Sequence, residues 1–291
     1  MECSIKLINL KNKEEINVES DIKYSGILCT KFNDNQTKGE FSRIKGVNQI
    51  GQSINSSTLS VRDISLGGVI IGEDRLQVEV LRKQLVAILN PLEDVLLKYT
   101  EDYIEKEIIV RAANVPIFSS EINNDNLLSF LVSLDADYPL WQDQEENVTN
   151  IETWEGGFEF EFEIPTEGIE FARKGPDKIE VLNNGQIESP LEFYFKAPAL
   201  NPKIILNSKE YIKVNKKINE GEILYICTAY GKKRVEIIKE DGTRENAYGY
   251  IDIFSKFFKL PVGKSIISYS TEGDFIPQSV ILKYKNQYLS L

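Results

Sequence analysis

"VRDISLGGVIIGEDRLQVEVLRKQLVAILNP", Val61 to Pro91, holds the one clear change of hydrophobic period in this chain. Val61 to Ile71 is apolar and β-branched, which reads as a strand, and Gly67-Gly68 within it predicts a bulge or bend. After Gly72 the spacing turns helical, with Leu81, Leu85, Ile88 and Leu89 on one face. Asp74 and Gln77 have the form of a capping box, and Asn90-Pro91 stops the run. The result is one helix of about four turns. Most of the remaining sequence reads as strands, so the expected fold is mainly β with one main helix.

Strands are expected at Val95 to Tyr99, Tyr103 to Arg111 and Leu127 to Asp135. The last runs into "DADYPLW", where Pro139 prevents further pairing. The polar, acidic stretch "QDQEENVTN", Gln142 to Asn150, marks a boundary between domains 1–145 and 146–291. Beyond it short strands alternate with turn signals at Asn184-Gly185, Glu220-Gly221, Tyr230-Gly231, Asp241-Gly242 and Gly263. Asn184-Gly185 and Asp241-Gly242 are type I′ hairpin signals. Short strands at regular intervals predict a β-sandwich or jelly roll.

The chain has 291 residues, 42% hydrophobic and 27% charged, a globular composition. Its net charge of −11 repels phosphate backbones, so neither nucleic acid nor an anionic membrane is an expected partner. Histidine is absent, which removes Ser-His-Asp and Cys-His catalysis and most zinc or iron centres. Cys3, Cys29 and Cys227 form no CxxC pair and read as free thiols in a reducing compartment. The N-terminus lacks the apolar run of a signal peptide, and no stretch approaches a membrane span, so a soluble protein made in the cytoplasm is expected.

Four motifs bear on chemistry. "GGFEFEFEIP", Gly156 to Pro165, alternates phenylalanine with Glu159, Glu161 and Glu163. Alternate strand residues lie about 7 Å apart, a separation compatible with a glycosidase pair. Side by side on one face, however, they do not oppose each other across a sugar. The reading taken is a strand with buried rings and a wet acidic face. Asp135 and Asp137 lack the glycine and closing glutamate of a calcium loop. "KFFKLPVGKSIISY" and "YGKKR" read as turns, not nucleic-acid surfaces. No phosphate loop, dinucleotide fingerprint or nucleophile elbow is present. No catalytic residue, cofactor or metal is expected.

"FNDNQTKGEFSRIKGVNQIGQSINSSTLS", Phe32 to Ser60, is polar and weakly patterned. So long a segment is either a surface loop or an arm that orders against a neighbour. Taken as an arm, its candidate contact residues are Phe32, Phe41, Arg43, Ile44, Val47, Ile50 and Ile54.

Several segments, taken in order, resemble one family. "NPKIILNSKEYIKVNKKINEGEILYICT", "YGKKRVEII", "DGTRENAYGYIDIFSKFFKLPVGKSIISYS" and the closing "VILKYKNQYLSL" resemble the C-terminal domain of siphophage distal tail proteins, although Ser290-Leu291 departs from its usual ending. Arg62, Ile64, Arg82, Asn90 and Pro91, with "LLSFLVSLDADYPLWQD", resemble that family's N-terminal half. The resemblance implies a ring-forming belt domain and a galectin-like β-sandwich. It implies a structural hexameric ring joining the tail tube to the tip or baseplate hub. The implied partners are further copies of itself, the tail tube protein, the tail-tip hub protein and a receptor-binding protein. The implied location is a virion tail tip or a phage-tail-like particle. The alternative is a lectin-like module contacting the host cell wall, for which Trp141 and Trp154 are the stacking candidates.

Overall fold

The structure is a computed structural model that describes residues 3–22, 26–35, 37–119, 125–152, 154–156, 172–174, 178–196, 198–272 and 279–291. The acidic row Glu159, Glu161 and Glu163 lies outside the described residues. The chain divides into two compact units, Met1–Gln144 with Tyr288–Leu291, and Glu145–Gln287. The last four residues thus fold with the first unit, whereas the sequence reading places them in domain 146–291.

In the first unit, strands Cys3–Asn9, Glu15–Glu19, Gly26–Asp34, Arg62–Ile71, Val95–Glu101, Ile104–Ala112 and Leu127–Ala136 lie side by side. Leu134 pairs with Ala112 and Asp135 with Arg111, so the sheet closes on itself. Alternation fills the interior: Ile5 and Leu7, Ile64 and Leu66, Val132 and Leu134 are fully or almost fully buried. Each buried aliphatic side chain contributes about 1.5–3 kcal/mol.

The helix spans Arg75–Ile88. The Asp74 side chain accepts the Gln77 N–H at 2.8 Å. The Gln77 side chain accepts the N–H of Glu73, one residue earlier than a capping box requires. Val78, Leu85, Ile88 and Leu89 are buried against the strands and Leu81 is half-buried. Asn9 Nδ2 donates to the Ile88 carbonyl at 3.2 Å, satisfying a helix-end acceptor.

The expected bulge falls at Gly67-Gly68, with its extra residue on the neighbouring strand: Cys29 pairs with Gly68 and Lys31 with Gly67, which leaves Thr30 between them. On the other side strand Arg62–Ile71 pairs with Leu127–Ala136 without a break. The glycines also serve close approach. A Cβ on Gly68 would stand 2.3 Å from the Leu28 carbonyl oxygen and 2.8 Å from the Phe130 ring.

Among the described residues the second unit has two main sheets and a separate two-stranded pairing of Trp154–Gly156 with Ala172–Lys174. One carries Asn147–Glu152, Ser279–Tyr284, Glu192–Lys196, Ile223–Cys227, Arg234–Ile238 and Arg244–Asn246. The other carries Lys178–Asn183, Gly263–Glu272, Ala199–Leu206 and Glu210–Lys213. Phe193, Phe195, Ile204, Ile212, Leu224, Ile267, Val280 and Leu282 are buried in one core contributed by both. Asn147–Glu152, inside the stretch expected to be linker, pairs with Ser279–Tyr284.

Two turn readings change. Asn184-Gly185 joins no adjacent pair of strands, because Lys178–Asn183 pairs with the distant Gly263–Glu272. Asp241-Gly242 does sit between paired strands, but only Gly242 has a positive φ, +81°. Gly242 N–H bonds the Lys239 carbonyl and Lys239 N–H bonds the Thr243 carbonyl. That is a three-residue loop ending on a left-handed glycine, not a type I′ turn.

Candidate assembly surface

Among the described residues, strands Gly39–Ile44 and Ser53–Leu59 pair only with each other and form a two-stranded ribbon. The expected arm is therefore ordered backbone. Its tip is held by Gly46 N–H to Gln49 Oε1 at 2.8 Å and by Gln49 Nε2 to Ser53 Oγ at 2.9 Å. Its root is held by Thr37 Oγ1 donating to the Ser60 carbonyl at 2.7 Å and Ser60 N–H donating to the Lys38 carbonyl at 2.9 Å. Nearly every residue between root and tip is exposed.

The pairing register gives the ribbon two unlike faces. Phe41 faces Ser57, Arg43 faces Ile54 and Gly39 faces Leu59 on one side. On the other, Glu40 faces Thr58, Ser42 faces Ser56 and Ile44 faces Ser53. The first side is thus apolar with one guanidinium, whose carbon lies 5.0 Å from the Phe41 ring centroid. The second is a row of hydroxyls interrupted by Glu40 and Ile44. Phe41, Ile44 and Ile54 are about half exposed, and Val47 and Ile50 at the tip are 96% and 101% exposed. An isolated two-stranded ribbon is marginal in water, and its free edges and apolar side chains are what a partner would cover.

Phe32 stands apart from the other six candidates. It belongs to strand Gly26–Asp34 and stacks on Tyr99, centroids 5.1 Å apart. Tyr99 in turn meets the edge of Trp141 at 6.4 Å. Burial, reinforced by the bond to Glu101, pushes the Tyr99 hydroxyl well above the usual tyrosine range.

Below the ribbon lies a buried polar cluster. Asp34 ends the strand before the ribbon and Arg62 begins the strand after it. Arg62 is 1% exposed, and its Nη1 donates to Asp34 Oδ1 at 2.6 Å. Its Nε donates to the Pro139 carbonyl at 2.8 Å and its Nη2 to the Leu289 carbonyl. Trp141 Nε1 donates to the second Asp34 oxygen at 2.9 Å. Each guanidinium nitrogen and both carboxylate oxygens are thus engaged, as a buried ion pair requires. Trp141 is fully buried, so it offers no face to a sugar. Sequence reasoning marked Arg62 and Trp141 only as points of resemblance; the signal for their meeting is non-local.

Solved structures share this fold along the whole chain. The SPP1 Dit (gp 19.1) protein, described as a paradigm of the hub adsorption apparatus in phages infecting Gram-positive bacteria, is similar with a TM-score of 0.63 and 11% identity, over 97% of this chain and 98% of that one. A chain of the phage P2 baseplate in its activated conformation with Ca is similar with a TM-score of 0.58 and 11% identity, over 100% of both chains. The same baseplate with Sr gives a TM-score of 0.56 at 10% identity, again over 100% of both. At the level of sequence, residues 184–288 match the family described as siphovirus-type tail component, C-terminal domain. No curated protein sequence matches the chain. The resemblance read from the sequence is thus matched by similar folds along the whole chain and by a family model over residues 184–288.

Proposed function

We propose that this chain is a structural component of a phage tail or phage-tail-like particle, acting as the distal tail hub. In this reading the first unit closes with five further copies into a hexameric ring between tail tube and tip hub, and no side chain performs bond-making work. The second unit projects towards receptor-binding components. The ring places the chain in the tail tip of a virion or a phage-tail-like particle, after synthesis in the host cytoplasm.

The observation that carries the assembly role is the ribbon Gly39–Leu59. Among the described residues its strands pair only with each other, and it displays Phe41 and Ile54, with the half-buried Leu59, on one side. The proposed contact is with the neighbouring copy or the tube, with Arg43, Ile44, Val47 and Ile50 flanking it. The rotational closure of identical contacts gives a ring.

The double variant Phe41→Ser, Ile54→Ser tests this. Both side chains lack an intramolecular core, so thermal unfolding should move by less than about 0.5 kcal/mol, as for surface substitutions. Particles assembled from the variant should carry tubes without completed tips under the electron microscope. Normal tips at parental frequency would refute the reading.

A further inference from the structure

We infer that the last residues of the chain act as a latch on the ribbon's root, so that the seat of the assembly arm depends on the C-terminus. This rests on reading the ribbon as the assembly surface, but its test needs no assembly. The residues on either side of the ribbon, Asp34 and Arg62, are bound to each other at its base. The third arm of the Arg62 guanidinium is held by the Leu289 carbonyl, supplied by the extreme end of the sequence. Nothing about Leu289's side chain is needed for that contact; it is backbone.

The tail is itself fastened. The Tyr288 hydroxyl lies 3.5 Å from Asp143 Oδ2, and Lys106 Nζ sits 3.6 Å from the Tyr288 ring centroid and 2.5 Å from Asp143 Oδ1. Leu291 and Tyr288 pack against the barrel core. A guanidinium buried to this degree must keep its acceptors, since losing one leaves a desolvated donor unpaired. Removing the tail therefore strands one Arg62 N–H. The low-cost response is to reopen the base of the ribbon to water, because the ribbon has no core of its own to hold it. Arg62 is thus a positioning residue: it transmits the tail's presence to the arm.

Amide hydrogen exchange on the full chain, resolved by residue, tests this. Three backbone amides report the root: Asn35 bonded to the Asp63 carbonyl, Lys38 to Ser60 Oγ, and Ser60 to the Lys38 carbonyl. Deleting Leu289–Leu291 should speed their exchange at least tenfold, while amides of Cys3–Asn9 and of the second unit keep parental rates. Leu289→Ala keeps the carbonyl and should leave the root amides unchanged. Arg62→Lys is measured beside the truncation, so the outcome does not depend on the shortened chain folding. Its single ammonium cannot span the three acceptors, and the same root-confined acceleration is expected. Unchanged root amides in both variants would overturn the latch. So would acceleration spread evenly through the barrel, which would make the tail an ordinary core element.

Discussion

Replacing Gly68 with alanine puts a methyl group where the barrel has no room. The added carbon would lie 2.3 Å from the Leu28 carbonyl oxygen and 2.8 Å from Phe130 Cε1. The ring can rotate aside; the carbonyl cannot, because it belongs to a strand paired with the one that carries Gly68. Overpacking a rigid site costs about 1–3 kcal/mol, and a backbone neighbour puts Gly68 at the upper end. The entropy gained on losing a strand glycine offsets roughly 0.5–1 kcal/mol. The net expectation is a loss of about 2 kcal/mol, or roughly 4–8 °C in the melting temperature of a unit this size. Scanning calorimetry of the full chain reads it, with the sandwich transition as internal reference. Gly67→Ala is the matched control, since its nearest neighbour is the movable Leu131 Cδ1 at 3.3 Å. Equal tolerance of the two substitutions would refute the close-approach reasoning.

Asp135 and Asp63 stand opposite each other on adjacent strands, and burial, then Asp63 and Asp137, pushes the Asp135 carboxyl above the usual range. A raised folded-state pKa favours the native state at low pH and loses that benefit as pH rises through it. Asp135→Asn should therefore raise the barrel's melting temperature at pH 7, with the gain shrinking towards pH 3; a gain independent of pH would contradict the electrostatic cause. Asp74→Ala should cost about 1 kcal/mol through loss of the helix cap, read by urea unfolding, with Glu73→Ala near neutral as control.

The legible parts of this fold were local ones. Asp74, Gln77 and Asn90-Pro91 bracket the helix within a single turn of their own positions, and the helix Arg75–Ile88 follows. The alternation in Leu127–Ala136 likewise needs only its own residues. What depends on distant partners was not legible. Asn184-Gly185 has the chemistry of a hairpin, yet the strand before it pairs with residues 263–268, so local turn preference yields to sheet topology. Ser53–Leu59 is mostly Ser, Asn and Thr, Gly39–Ile44 mixes Glu and Arg with Phe and Ile, and an element exposed on both faces needs no hydrophobic alternation to announce it. Phe41, Ile44, Val47, Ile50 and Ile54 could be named as apolar positions in a polar segment, with Arg43 among them, but Phe32 could not be separated from them without seeing Tyr99. The bond from Arg62 to the tail spans 227 residues, beyond any pattern in the sequence.

The most direct measurement is a cryo-electron reconstruction of particles built with this chain, at a resolution that traces backbone. Six copies should surround the channel at the junction of tube and tip, each with residues 39–59 packed through the Phe41–Ile54 side against a neighbouring chain. A subunit present in another number, or a ribbon standing free in solvent in the finished particle, would contradict the ring and the arm together.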